Sequence, residues 1–182
     1  MTTSAHLRKT ALSLPEAAEE RTSSGTITFV VHGKRFASTG ENTEAHLRLP
    51  QAEADEFLAE YPGAERLSER GRAVGVRVPL EDINGQRLNH WVRRAWLSRA
   101  PKRLAAQAVA ADTATPGDVG DLPKAIGRPA TRALTAAGIT TLDQVADLTE
   151  AELRAMHGIG PKVVKILHET LAAGGRTFRE SR

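Results

Sequence analysis

A chain of 182 residues has room for one medium domain or two small ones. With 40% hydrophobic and 26% charged residues it can build a core, and the absence of cysteine excludes disulfides, thiolate zinc sites and cysteine nucleophiles. No apolar run approaches the roughly 20 residues of a membrane helix, and the first residues hold no secretory hydrophobic segment, so a reducing cytoplasm is expected and a membrane partner is not. The net charge of +3 is spread unevenly: residues 1–110 carry 16 Lys and Arg against 13 Asp and Glu, and residues 111–182 carry nine of each. Any basic surface is therefore local.

An amphipathic stretch from His6 to Leu14 predicts a first helix. Thr26 to Val31 puts Ile27, Phe29 and Val31 on one face of a strand, and the turn His32-Gly33-Lys34 leads into a second strand to Thr39. After a turn at 40–43, Ala45 to Leu49 alternates again, giving an antiparallel meander. Pro50 opens a helix over QAEADEFLAEY. A fourth strand covers Ala73 to Val78, and Leu88, Trp91, Val92, Ala95 and Trp96 recur as one face of a further helix, which places both indoles in the core. The expected order α-β-β-β-α-β-α is an α+β layer, an antiparallel sheet with helices on one side, over residues 1–110.

Between residues 111 and 121 small residues, Asp, Thr, Pro and Gly replace the apolar periodicity, which reads as a linker. From Leu122 the chain reads as a small all-α domain, residues 122–182. Pro129 suits a first helical position, and Gly138 followed by Ile139 suits a left-handed cap. Thr141 with Gln144, and Thr149 with Glu152, are two capping-box pairs, and Leu148 and Leu153 can staple the second. A third helix meets Gly158-Ile159-Gly160, and Pro161 and Lys162 open the last helix, with Val164, Leu167 and Leu171 on its core face. Two glycines around one apolar residue let the backbone turn sharply and leave amides open, while Ile159 can anchor the turn. The amides of Gly160 and the first helical turn, with the positive end of the helix dipole behind them, suit a phosphate oxygen. Lys162 and Lys165, three apart, add charge beside them.

The string MHGIGPKVVKIL at Met156 to Leu167 resembles the helix-hairpin-helix DNA-binding motif. With AAGITTLDQVADLTEAEL before it, residues Leu122 to Phe178 resemble the carboxy-terminal domain of the bacterial RNA polymerase alpha subunit. The resemblance implies minor-groove entry by an arginine and an asparagine of the first helix; Pro129 and Arg132 occupy those positions here, with Arg128 adjacent. The amino-terminal strings ALSLPEAAEE, HGKRFAS, GVRV and AWLSRAPKRLAA resemble the MmcQ/YjbR family, whose fold is similar to frataxin-like proteins and whose sheet has been likened to a double-winged DNA-binding surface. The excess of arginine over lysine and the abundance of alanine suggest a high-GC bacterial source.

A second basic stretch, Arg87 to Arg103, holds Arg93, Arg94, Lys102 and Arg103 without one acid, and is expected as a secondary phosphate-contacting surface; a solvated face is the alternative. The acidic residues Asp143, Asp147, Glu150 and Glu152 form either a face opposite the hairpin or a protein-binding face. The six histidines have no metal-ligand spacing, Glu19-Glu20 and Glu81-Asp82 adjoin expected turns, and no nucleophile, Walker loop or paired-carboxylate motif occurs; neither an enzyme nor a cofactor is expected. The expectation is a bacterial protein, cytoplasmic or associated with the nucleoid, that binds double-stranded DNA independently of sequence. Gly158, Ile159, Gly160, Lys162 and Lys165 form the grip, and Arg128 and Arg132 a second contact. The alternative is an adaptor that docks on a transcription or repair protein.

Overall fold

The structure is a computed structural model, and it describes residues 2–22, 25–40 and 43–180. The chain divides into two compact units, Met1–Pro101 and Lys102–Arg182.

The first unit is α+β. Helix α1 (Ser4–Leu12) begins at Thr3, whose hydroxyl accepts from the His6 amide. Strands β1 (Ala17–Arg21), β2 (Ile27–Val31), β3 (Lys34–Thr39) and β4 (Glu44–Leu47) follow, then helix α2 (Gln51–Glu60). Strands β5 (Glu65–Glu69) and β6 (Arg72–Pro79) precede helix α3 (Gly85–Arg99), which Asn84 caps through the Arg87 amide. The strands form one antiparallel sheet in the order β1-β2-β3-β4-β6-β5. The four expected strands occur, and part of the turn at 40–43 lies outside the described residues.

Two strands were not legible in the sequence, β1 (AAEER) and β5 (ERLSE). Both are edge strands, where charged side chains discourage pairing with another chain and blunt the apolar alternation that identifies a strand. Glu19 and Glu20 accordingly sit in β1, not beside a turn.

Directly opposed residues share a face, so the register writes rows across the sheet. Phe29, Ala37, Leu47 and Val76 form a buried row. The neighbouring row reads Glu20, Thr28, Ser38, His46, Arg77, Glu65 across all six strands. One apolar and one polar face is the pattern of a sheet covered by helices on its apolar face. Phe57, Leu80, Ile83, Leu88, Trp91 and Trp96 complete the core, each fully buried, as the spacing of the two indoles predicts. The Trp96 indole N–H donates to the Pro15 carbonyl at 3.2 Å. A Cβ at Gly75 would stand 1.9 Å from the Leu47 carbonyl oxygen, so glycine is what lets β4 and β6 approach there.

The second unit is helical: α4 (Lys102–Thr113), a short 3-10 turn at Lys124–Ile126, then α5 (Gly127–Ala136), α6 (Leu142–Ala146), α7 (Glu150–Ala155) and α8 (Pro161–Ala173). The division at Pro101 comes earlier than the boundary expected at 111–121, because α4 packs against α5. The supposed linker is folded: Ala111 and Ala114 are buried, and Val119 packs on the helical core. Pro129 is the third residue of α5, not the first. Gly138 has φ 78° and the Ile139 amide reaches the Leu134 carbonyl at 2.9 Å, a left-handed cap as expected. Both capping boxes form, Thr141 with Gln144 on α6 and Thr149 with Glu152 on α7. Leu134, Val145, Leu153, Ile159, Val164, Leu167 and Leu171 form one buried cluster, with Leu148 packed against it.

Candidate functional site

The turn between α7 and α8 is held from both sides. Ile159 is 6% exposed within the helical cluster, and its amide donates to the Met156 carbonyl at 3.2 Å. The two glycines differ in why they are there. Gly158 has φ 94°, and a Cβ on it would stand 3.1 Å from the Pro129 carbonyl oxygen and 3.7 Å from the Ala133 Cβ. Backbone conformation and packing against α5 both require a glycine. Gly160 has φ −97°, ordinary for any residue, and a Cβ there would meet nothing within 4 Å. Neither strain nor internal packing asks for glycine at 160.

Gly160 is also the N-cap of α8, which no side chain caps, and Pro161 follows as the first helical residue. Helix α5 likewise starts without a side-chain cap, at Gly127 with φ 75°. By contrast α6 and α7 satisfy their first-turn amides through capping boxes. Gly158 abuts Pro129 and Ala133, so the turn ahead of α8 packs against the first turns of α5. Lys162 and Lys165 are exposed on α8, and Lys165 has only a loose contact, 3.8 Å, with Glu169. Arg128 is exposed beside Pro129. Arg132, one turn further along α5, is turned to α4, where its guanidinium lies 2.5 Å from the Asp112 carboxylate. Gly158, Ile159, Gly160, Lys162 and Arg128 thus come together, whereas Arg132 is held by an acid that the sequence placed in a linker.

The secondary surface changes character. Arg94 pairs with Glu53 at 3.1 Å and Glu56 at 3.5 Å on α2, and its guanidinium stands 5.3 Å from the centre of the Trp91 ring. Arg87 binds Glu60 and holds that carboxyl below its usual range. The stretch looked free of acids because its counter-charges come from a helix about thirty to forty residues earlier. Arg93 is half-buried on the same helix α3, while Lys102 and Arg103 are exposed in the first turn of α4, in the other unit.

The acidic residues are largely matched as well. The tail after α8 folds back: Arg176 lies 3.2 Å from Asp143, and Arg179 binds Glu152 at 2.8 Å while its amide donates to the Ala146 and Leu148 carbonyls. Arg154 pairs with Glu150 within α7. Sequence reasoning missed this tail, because two arginines three apart beyond the end of a helix carry no periodic signal. Among the described residues, no group of three or more His, Cys, Asp or Glu is arranged to hold a metal ion, and no helix is long and apolar enough to cross a membrane.

No family model matches the chain, and no curated protein matches it. Among solved structures the chain is similar to protein DR2400 of Deinococcus radiodurans, described as a DUF419 domain, with 19% identity and a TM-score of 0.48, over 54% of this chain and 78% of that one.

Proposed function

We propose that the chain is a DNA-binding protein whose carboxy-terminal unit grips the phosphate backbone as a helix-hairpin-helix, without reading base sequence. The observation that carries this reading is Gly160. A glycine that neither conformation nor internal packing requires, at the uncapped start of a 13-residue helix, keeps its amides open to something outside the molecule. Lys162 and Lys165 supply charge beside it, and the uncapped start of α5 with Arg128 offers a second point of contact. Contacts of this kind position a protein on a duplex and carry little base information. The reading also accords with the motif resemblance of Met156 to Leu167, and it puts the chain in a bacterial cytoplasm or nucleoid.

The adaptor reading has less support, because Asp143, Glu150 and Glu152 already hold arginines of their own unit. Substitution separates the two glycines. Gly160→Val, which replaces a favoured N-cap residue, lowers the melting temperature by a few degrees without unfolding the unit and weakens binding to a random-sequence duplex about tenfold, a loss of ~1.4 kcal/mol. Gly158→Ala, strained at φ 94°, acts chiefly on the melting temperature. Unchanged duplex affinity in a folded Gly160→Val protein contradicts the proposal.

A further inference from the structure

The first unit carries a separate charged site. The register puts two hairpin turns at one end of the sheet. His32-Gly33 joins β2 to β3, with Val31 opposed to Lys34, and Arg70-Gly71 joins β5 to β6, with Glu69 opposed to Arg72. Strand β4 lies between β3 and β6 and ends at this same side, so Arg48 emerges between the two turns. Its backbone is fixed there, the amide donating to the Phe36 carbonyl at 2.9 Å and the carbonyl accepting from the Ser98 hydroxyl at 3.2 Å.

The side chains converge on one oxygen. Arg48, whose side chain is only 10% exposed, binds Oε1 of Glu69, and Nη1 of Arg35 stands 3.7 Å from that same oxygen. Arg48 holds the Glu69 carboxyl below its ordinary range, and the charges of Arg35 and Arg70 add to the pull. Lys34 and Arg72 are exposed on either side. Guanidinium forks arranged around a carboxylate also match a phosphate in charge and shape.

The turns supply an independent observation. Both have positive φ at each central residue, 47° and 71° in the first and 50° and 75° in the second, the geometry for which Asn-Gly or Gly-Gly is the ordinary choice. Here His32 and Arg70 occupy the first position, at a cost on the order of 1 kcal/mol each. At the second tip, beside Glu69, an arginine stands where local turn chemistry favours a small residue, and backbone strain of this kind is concentrated at functional positions; at the first tip the His32 ring is taken up by the Glu16 carboxylate.

We propose that this end of the sheet is an oxyanion site for a phosphate-bearing ligand, formed by Arg35, Arg48, Arg70 and Arg72, with the Glu69 carboxylate as its resting occupant. Glu69 is half-exposed on a hairpin, so its side chain can leave while Arg48 stays fixed by its backbone bonds. The phosphate belongs either to a free polyphosphate or to a nucleic-acid backbone, and two probes distinguish these sources.

The test titrates inorganic pyrophosphate by calorimetry, and a labelled random duplex by anisotropy, into the full chain carrying Lys162→Glu and Lys165→Glu, which weakens the other unit's proposed grip. Glu69→Gln in that background tightens one or both probes about tenfold, since a competing charge is removed. Tightening of pyrophosphate alone identifies a free ligand; tightening of the duplex identifies a backbone phosphate. Arg35→Gln with Arg70→Gln, both exposed positions, abolishes the binding while leaving the melting temperature unchanged, and tests the site even where Glu69→Gln unsettles Arg48. Equal affinity with and without Glu69 for both probes, or binding retained in the folded double arginine variant, overturns the proposal. Because the second unit's grip is weakened equally in every protein compared, a change on Glu69→Gln or on the double arginine substitution reports the first unit alone, and this outcome is independent of the proposed function.

Discussion

At the residue scale, the Gly-Ile-Gly string announced a sharp turn, yet only the packing tells its glycines apart. Gly158 is fixed by φ 94° and the neighbouring Pro129 carbonyl; Gly160 is unconstrained from within. The partner of Arg132 was equally illegible, since Asp112 lies twenty residues earlier in a stretch of small and polar residues. That ion pair is half-exposed and worth under about 1 kcal/mol, so it is a weak competitor for a phosphate. Asp112→Asn is expected to raise duplex affinity about two- to fivefold, with a slightly steeper salt dependence, as Arg132 becomes available. Unchanged affinity by anisotropy would remove Arg132 from the interface and leave Arg128 as the contribution of α5.

At the scale of elements, β4, α2 and α3 were legible because each buries one face of alternating or helically spaced apolar residues, and β2, β3 and β6 because each carries a short apolar run, buried consecutively at Thr28 to Val31 and at Phe36 to Ser38. It failed on β1 and β5, whose edge positions favour charge over alternation. Capping chemistry was the most legible feature of the second unit, because a capping box needs only four consecutive residues and no tertiary partner. One of these caps sets an acid limit on stability. The Thr149 amide and hydroxyl donate to Glu152, and with Arg179 they lower its carboxyl below the ordinary value of 4.5. A carboxyl depressed in the folded state stabilises above its unfolded value and loses that contribution as the pH falls through the folded one. Melting temperature followed from neutral pH to about pH 3 therefore declines, and Glu152→Gln shows a lower plateau with a shallower acid decline. Parallel curves for the two proteins would show that the Glu152 charge contributes nothing.

At the scale of the whole molecule, the sequence carried the two-part organisation but not its boundary. The division falls at Pro101 because α4, rich in alanine, belongs to the helical unit. Charge counts along the chain also hide the pairing between elements: Arg87 and Arg94 neutralise α2, Arg176 and Arg179 neutralise α6 and α7, and the cations at the α8 start stay exposed. The central claim is that those exposed cations and the open amides beside them hold DNA phosphates. Anisotropy of a labelled random duplex, titrated across a range of salt against the parent and a Lys162→Glu, Lys165→Glu variant, tests it most directly. Affinity of the parent should fall with a log–log slope of about −0.9 per phosphate contacted. The variant should bind far more weakly, with a slope shallower by about two contacts and an unchanged melting temperature. No binding by the parent at low salt, or the same affinity and slope in both proteins, would contradict it.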